Sequence, residues 1–165
     1  MTTLGIDAGI ANTGYGIVTE EGATLIKRGC GVIKTSSDIA IHLRLKKIYD
    51  ALIEIIHKYQ PEVVVLKELS LSRNIANFLT VGQARGVAML AAANTNLDVC
   101  SYTLNQVKQS IVGSGNASRH QIQQMVRVLL GLKEIPKPDQ AEALALAICQ
   151  LHTYKTQNLY KRISR

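Results

Sequence analysis

Apolar residues in the first part of the chain form short runs separated by small or polar turns, which predicts three β-strands. The runs cover Thr3–Ile6, Tyr15–Thr19 and Ala23–Lys34. Because the connecting turns are short, the three strands are expected to form an antiparallel meander. Gly29 and Gly31 lie inside the third run and indicate a bulge or a closely approaching backbone.

Helical and strand patterns alternate in the middle of the chain. Apolar residues over Leu45–Ile56 recur at helical spacing, with candidate N-caps at Ser36–Asp38 and a stop at Pro61. Val63–Leu66 is a continuous apolar run, as in a buried parallel strand. The pattern then predicts a second helix over Ile75–Asn94 and a fifth strand over Leu97–Ser101.

The remainder of the chain is mostly helical. A glycine-rich break at Gly113–Asn116 precedes Ser118, which is expected to cap a helix that runs to about Leu130. The last helix is predicted over Asp139–Tyr154, followed by a frayed basic tail over residues 155–165. The element order βββαβαβαα predicts one α/β domain over residues 1–154, with helices flanking a mixed five-stranded sheet.

Composition restricts the class of protein. The chain has 165 residues, of which 47% are hydrophobic and 19% charged, so it is expected to fold as one domain and not to be disordered. No apolar run is long enough to cross a bilayer and no signal peptide is expected. Three widely spaced cysteines match neither a disulfide framework nor a zinc pattern. We therefore expect a cytoplasmic protein with buried free thiols.

The charge balance points to a phosphate-rich partner. Nineteen Lys and Arg against twelve Asp and Glu give a net charge of +7, which favours binding to nucleic acid, although a merely basic protein would show the same excess. Aromatic residues are only 4% of the chain, so a base-stacking platform for single strands is poorly supported.

Four acidic residues occupy positions where catalytic carboxylates occur. Asp7 ends the first strand, Glu68 follows the buried run, and Asp139 and Glu142 lie three apart on the last helix. Taken alone, the helix pair is better explained by the macrodipole, which favours acids at a helix N-terminus. If these carboxylates converge, they form a site for Mg²⁺ or Mn²⁺. Two such ions can promote phosphodiester hydrolysis.

Basic residues accompany the glycine-rich break. No acid occurs from Val99 to Lys133, whereas Lys108, Arg119 and Arg127 all lie in this stretch. Such residues can meet phosphates, or can be ordinary solvated surface. His120 follows Arg119 directly and is a candidate for substrate contact. The four histidines show no metal-ligand spacing, and no Ser-His-Asp or Cys-His arrangement is supported.

These motifs together resemble those of RuvC, the family of bacterial Holliday-junction resolvases. The resemblance extends from Thr3 to about Thr153. The matching segments are Leu4–Asp7 with Gly9, Thr13–Gly16, Val81–Gly86, Gln106–Gln109, Met125–Arg127 and Asp139–Ala145.

The resemblance implies an RNase H-like fold and a homodimer that binds four-way DNA junctions. It implies symmetric, metal-dependent nicks in two strands during recombination and repair, with two Mg²⁺ or substituting Mn²⁺ ions per site. A branch-migration motor complex is the implied partner. Asp7 and Asp139 match catalytic carboxylates, and Glu142 matches a fourth carboxylate that is usually Asp. The implied DNA-contacting residues are Arg73, Asn74, Lys108, Ser114, Arg119 and His120.

One position departs from the family pattern. The family's catalytic glutamate ends the central strand, and the corresponding residue here is Lys67. An ammonium group in place of a carboxylate repels divalent metal and can instead pair with Asp7. Glu68 is adjacent, but successive strand residues point to opposite faces, so it can substitute only if a bulge or the strand's end turns it inward. We therefore expect a protein that binds junctions and cleaves them weakly or not at all.

Three alternative functions remain at this stage. One is another RNase H-like nuclease that acts on RNA. The second is an ATP-dependent phosphotransferase or chaperone of the actin-like class, whose phosphate loop resembles Asp7–Gly9 but whose architecture needs two such domains. The third is a purely structural DNA-binding module.

Overall fold

The protein, represented by a computed structural model, contains a mixed sheet between two helical layers. Residues 1–69 and 74–163 are described. The strands are β1 (Thr2–Asp7), β2 (Asn12–Glu21), β3 (Thr24–Lys34), β4 (Val63–Lys67) and β5 (Asp98–Tyr102). The helices are α1 (Ile41–Tyr59), α2 (Ile75–Asn94), α3 (Leu104–Val112), α4 (Arg119–Leu129) and α5 (Pro138–Ile163).

The sheet has the mixed topology expected from the sequence. Its strand order is β3-β2-β1-β4-β5, with β1, β2 and β3 antiparallel and β4 parallel to both β1 and β5. Ile6 of β1 pairs with Leu66 of β4. Because parallel strands end at the same edge of a sheet, Asp7 and Lys67 emerge side by side.

Each face of the sheet has its own hydrophobic core. On one face, α3, α4 and α5 bury residues such as Leu144 and Ile148. On the other face, α1 and α2 bury residues such as Ile48 and Leu52. Apolar residues of β4 belong to both cores, because Val65 packs in the core beneath α5 and Val64 packs in the core beneath α1. This explains the continuous apolar run in the sequence.

Glycines in β1 and β2 allow α5 to pack directly on the sheet. A Cβ atom built on Gly5 would collide with the carbonyl oxygen of Ala143, and one on Gly14 with that of Asp139. The helix contributes small side chains at this contact, including the fully buried Ala143 and Ala147. The close approach brings the first two turns of α5 next to the end of β1.

Several predicted boundaries require correction. β2 begins at Asn12, inside the predicted turn, because its ladder with β3 continues to Lys34. The predicted N-caps Ser36–Asp38 do not cap α1, which begins after Ala40 without a side-chain cap. A register shift in the pairing of β2 and β3 leaves Arg28 without a partner in the ladder, which confirms the expected irregularity near the third strand's glycines.

The C-terminal half contains more helix than predicted. The separate helix α3 has a capping box formed by Thr103 and Gln106, and the predicted element order omitted it. Ser118 caps α4 as predicted, in a second capping box with Gln121. α5 does not end near Tyr154 but continues to Ile163. The division into a domain over residues 1–154 and a basic tail stays a prediction.

The cysteines are unpaired, and only Cys149 is buried, whereas Cys30 and Cys100 are half-buried. Within the described ranges, no helix is long and apolar enough to cross a membrane.

Candidate active site

The site lies at the edge of the sheet where β1 and β4 end. Asp7 is the last residue of β1 and Lys67 the last residue of β4. Glu142 projects from the start of α5, and Arg119 is the first residue of α4. The four residues come from four separate elements, so their meeting depends on the packing of α4 and α5 against the sheet.

The ammonium group of Lys67 bridges two carboxylates. Its Nζ atom lies 2.8 Å from Oδ1 of Asp7 and 2.9 Å from Oε2 of Glu142. The other carboxylate oxygen of Glu142 accepts a hydrogen bond from Nε of Arg119 at 2.5 Å. The carboxylates are well protected, with side-chain exposures of 12% for Asp7 and 10% for Glu142. We call these four residues the ion-pair cluster.

Burial and charge shift the pKa values of the cluster in different directions. Burial raises the pKa of Asp7 to about 6 from 3.8, and the Lys67 ammonium limits the rise. Burial also disfavours the ionised form of Glu142, but Lys67 and Arg119 outweigh it and lower the pKa of that carboxyl. For Lys67, burial is outweighed by the two carboxylates, which raise its pKa. At neutral pH the cluster therefore holds two anions and two cations.

The cluster does not fit a divalent metal ion. A single protein cation already occupies the space between the carboxylates of Asp7 and Glu142, and Arg119 binds the second oxygen of Glu142. Within the cluster the four charges cancel, so Asp7 and Glu142 present no negative excess to attract Mg²⁺. Asp139 is near enough to Arg119 to contribute to its raised pKa, but it makes no ion pair in the cluster. Within residues 1–69 and 74–163, no group of three His, Cys, Asp or Glu side chains is arranged to hold a metal.

The other two predicted catalytic acids lie outside this cluster. Glu68 is exposed, and its backbone N–H donates to the carbonyl oxygen of Tyr102 at 2.8 Å. Its side chain lines a cleft of about 280 Å³ that also contains Lys67. Asp139 is half-buried and lines a neighbouring cleft with Asn12. Thus the structure brings together two of the four acids predicted to converge, and it places a lysine between them.

The predicted DNA-contacting residues are distributed around the site. Arg119 is 63% exposed beyond its bond to Glu142, and His120 follows it at the solvent surface of α4. Ser114 is exposed in the glycine-rich break, and Lys108 is half-buried on α3. Asn74 caps α2 by accepting the backbone N–H of Asn77. Arg73 lies outside the described residues.

One positioning residue was not predicted. Arg85 of α2 donates from Nε to the carbonyl oxygen of Lys67 at 3.2 Å and from Nη2 to Ser101 at 2.8 Å. It thereby ties α2 to the ends of β4 and β5. The residue belongs to the Val81–Gly86 motif, but no sequence signal indicates the contact, because it depends on how α2 crosses the sheet.

Comparison with known proteins gives one consistent result. The sequence model of the family described as "Crossover junction endodeoxyribonuclease RuvC" matches residues 3–150. Proteins of that description from Alkaliphilus metalliredigens and Citrifermentans bemidjiense are 48% and 45% identical to this chain. These alignments cover 98% and 99% of this chain, respectively, and 99% of each relative.

Solved structures of resolvases are also similar to this chain. The structure titled "T. thermophilus RuvC in complex with Holliday junction substrate" is similar with a TM-score of 0.91 and 34% identity, over 95% of this chain and 96% of that one. The yeast mitochondrial Holliday junction resolvase Ydc2 is similar with a TM-score of 0.64 and 17% identity, over 98% of this chain and 85% of that one. The yeast comparison is a likeness of fold alone.

Proposed function

The chain belongs to the RuvC family of crossover junction endodeoxyribonucleases and has its RNase H-like fold, and we propose that it binds four-way DNA junctions but cleaves them weakly. Members of this family are metal-dependent nucleases. The proposal keeps the family's substrate and reaction type. The proposed rate of cleavage is lower than that of the family, because residue 67 is a lysine.

The observation that carries this proposal is the Lys67 ammonium between the two carboxylates. Replacing a glutamate by a lysine removes one metal ligand and changes the local charge by two units. In this chain Lys67 neutralises Asp7 and Glu142 directly, at 2.8 and 2.9 Å. The carboxylates are held in place, and Oδ1 of Asp7 and both oxygens of Glu142 bind protein cations. An ammonium group supplies no Lewis acid and no metal-bound water, so hydrolysis is expected to be slow.

Binding to DNA is supported by charge and does not depend on the acidic site. The chain carries a net charge of +7, and sequence-independent affinity for DNA comes chiefly from neutralised phosphates. Arg119 of the ion-pair cluster and the adjacent His120 are exposed. The relative from T. thermophilus, solved with a junction, has the same fold over 95% of this chain. We therefore expect the protein to bind junctions even though its cleavage of them is weak.

The proposal is tested by measuring binding and nicking on the same samples. A labelled four-way junction, a linear duplex of matched sequence and an RNA–DNA hybrid are each incubated with the protein and Mg²⁺ or Mn²⁺. We expect selective binding of the junction with few or no nicks. Efficient paired nicks in two strands would show that Lys67 does not disable the site. Equal binding of all three substrates would contradict junction recognition.

We propose Mg²⁺ as the ion of the active family form, with Mn²⁺ as a substitute and two ions per site. The support is the oxygen-only character of the acidic side chains, which is the chemistry that these hard cations prefer. In this chain the same acids would hold such ions only after the ammonium of Lys67 had moved away.

A homodimer formed through α2 is also proposed. Opposite its buried alanines, α2 exposes an apolar stripe that includes Ile75, Leu79 and Leu90, which are 71%, 59% and 53% exposed. Gly82 and Gly86 lie on the same stripe. A Cβ atom on Gly86 would meet nothing within 4 Å, so no residue described in this chain requires a glycine there. Close packing of α2 from a second copy of the chain would explain why position 86 is a glycine.

Replacing Gly86 by alanine tests this interface because its two effects have opposite signs. In a helix, Gly→Ala is expected to stabilise the isolated fold by about 0.5–1 kcal/mol. The added methyl group should at the same time weaken self-association. Sedimentation velocity at graded concentrations measures association, and thermal unfolding at low concentration measures stability. Gly115→Ala, outside α2, serves as the control. Unchanged association of the Gly86 variant would argue against the α2 interface.

The remaining proposals are a branch-migration motor complex as partner and a cytoplasmic location. The motor is supported by family membership. The location is supported by the basic charge and the unpaired cysteines.

A further inference from the structure

Four exposed lysines line two adjoining clefts near the start of α5. Lys27 and Lys34 come from β3, and Lys133 and Lys137 from the segment between α4 and α5. The clefts have volumes of about 510 and 370 Å³. We call these four residues and the clefts they line the lysine groove.

The groove is formed by the edge of the sheet and the loop that crosses it. Lys27 and Cys30 line one cleft, and Val32 and Lys34 line the other. These β3 side chains share the face of the sheet that packs against α5, since Cys30 contacts the core beneath that helix. The bulge at Arg28 keeps Lys27 on this face despite the odd spacing from Cys30.

The positive charge of the groove is not balanced from within the chain. Across the described ranges, none of the four ammonium groups forms an ion pair, although other surface lysines such as Lys46 and Lys155 do. Glu134 lines the larger cleft and Asp139 the smaller one, so four lysines face two acids along the groove. The groove therefore has an excess of positive charge, which an external anion would stabilise.

The lysine groove adjoins the clefts that contain Asp139 and Glu68. Its two clefts share Lys137 and Gln140. The smaller cleft shares Asn12 and Asp139 with a third cleft. That third cleft in turn meets the cleft containing Lys67 and Glu68, at Asn77 and Val81. A continuous depression therefore runs from Lys27 past Asp139 to the ends of β1 and β4.

We propose that the lysine groove binds the sugar–phosphate backbone of one duplex arm of the DNA substrate. This inference rests on the proposed function and deepens it by assigning the path of an arm. Lys27 and Lys34 are seven residues apart on a strand, which corresponds to roughly 20 Å. At about 3.4 Å per base pair, that distance spans about six base pairs. Contacts to phosphates position an arm without reading its sequence.

The test compares two double variants that lose the same charge. Lys27→Gln with Lys34→Gln neutralises the groove. Lys47→Gln with Lys58→Gln neutralises exposed lysines on α1, which packs against the opposite face of the sheet. Junction affinity is measured from 50 to 300 mM salt. For the groove variant we expect a loss of roughly 10- to 50-fold at 0.1 M salt and a slope smaller by about 2, as for two lost phosphate contacts. The α1 variant should lose less than about threefold, with little change in slope.

A second measurement locates the contact on the DNA. Uncharged methylphosphonates replace phosphates in one arm, in steps away from the crossover. Within about six base pairs they should weaken the wild type and leave the groove variant unaffected. Equal losses for the groove and α1 variants, or additive effects of the DNA and protein changes, would overturn the inference.

The outcomes separate this inference from the proposed function. If the wild type does not prefer a junction to a linear duplex, the proposed function fails. If it does prefer the junction and the groove variant behaves like the α1 variant, only the groove assignment fails. Thermal unfolding of both variants verifies that neither substitution pair has damaged the fold.

Discussion

Replacing Lys67 by glutamate is expected to raise the rate of Mg²⁺-dependent junction nicking by roughly 10²- to 10⁴-fold. The substitution removes the cation that lies 2.8 and 2.9 Å from the carboxylates of Asp7 and Glu142, and it adds a third carboxylate at the same strand end. Metal ions stabilise transition-state charge by several kcal/mol, and each 1.36 kcal/mol is tenfold in rate. Single-turnover nicking of a labelled junction across a Mg²⁺ series measures the effect.

Lys67→Gln is the matched control, because it removes the ammonium without adding a metal ligand. We expect it to gain far less activity than Lys67→Glu. Similar gains for both would mean that the cation blocks the site and that the missing ligand is unimportant. A Lys67→Glu protein no more active than the parent would contradict the proposed function.

Metal binding by the Lys67→Glu protein can be followed without any cleavage. Three close carboxylates repel each other, so this variant should unfold at a lower temperature than the parent in chelator. Added Mg²⁺ should raise its midpoint, because a ligand that binds only the folded state stabilises it. The parent should show little shift, since its cluster is already neutral. An equal Mg²⁺ shift in the parent would contradict the conclusion that the cluster does not fit a metal.

The second large effect concerns the stability of the ion-pair cluster as a function of pH. Burial raises the pKa of Asp7 to about 6, whereas its ordinary value is 3.8. Between these values the folded state binds more protons than the unfolded state, so the free energy of unfolding falls as pH rises. The difference of about two pKa units corresponds to roughly 3 kcal/mol. Stability from this group is present below pH 3.8 and is lost as pH rises through about 6.

Asp7→Asn should remove this dependence. The free energy of unfolding of the variant, relative to the wild type, is expected to increase by roughly 2.5 kcal/mol from pH 4 to pH 7. Titrating groups distant from the cluster cancel when the two proteins are compared. Glu142 and Lys67 interact with the charge of Asp7, so their ionisation contributes to the measured difference. Urea unfolding of both proteins in the presence of a chelator, at several pH values, measures the difference in their free energies of unfolding. A pH-independent difference between the two proteins would mean that burial does not dominate the ionisation of Asp7.

Much of the fold could be predicted from local patterns. α2 was predicted with the observed bounds, and Ser118 caps α4 as expected. The buried parallel strand β4 was recognised from its continuous apolar run. These features depend on residues close in sequence, through side-chain periodicity or hydrogen bonds to nearby backbone groups. The N-terminal limit of α1 was missed because its predicted capping residues form no cap.

The sequence by itself determined the family, the mixed sheet and the presence of a lysine at the end of the central strand. The tertiary structure decided what that lysine does. Lys67 and Glu142 are 75 residues apart in the chain, and their contact requires α5 to pack closely on the glycines of β1 and β2. Glu68, one residue beyond β4, is exposed and lies outside the cluster. The lysine groove is assembled from β3 and a distant loop. Local patterns cannot specify such contacts, because they depend on how whole elements meet across the sheet.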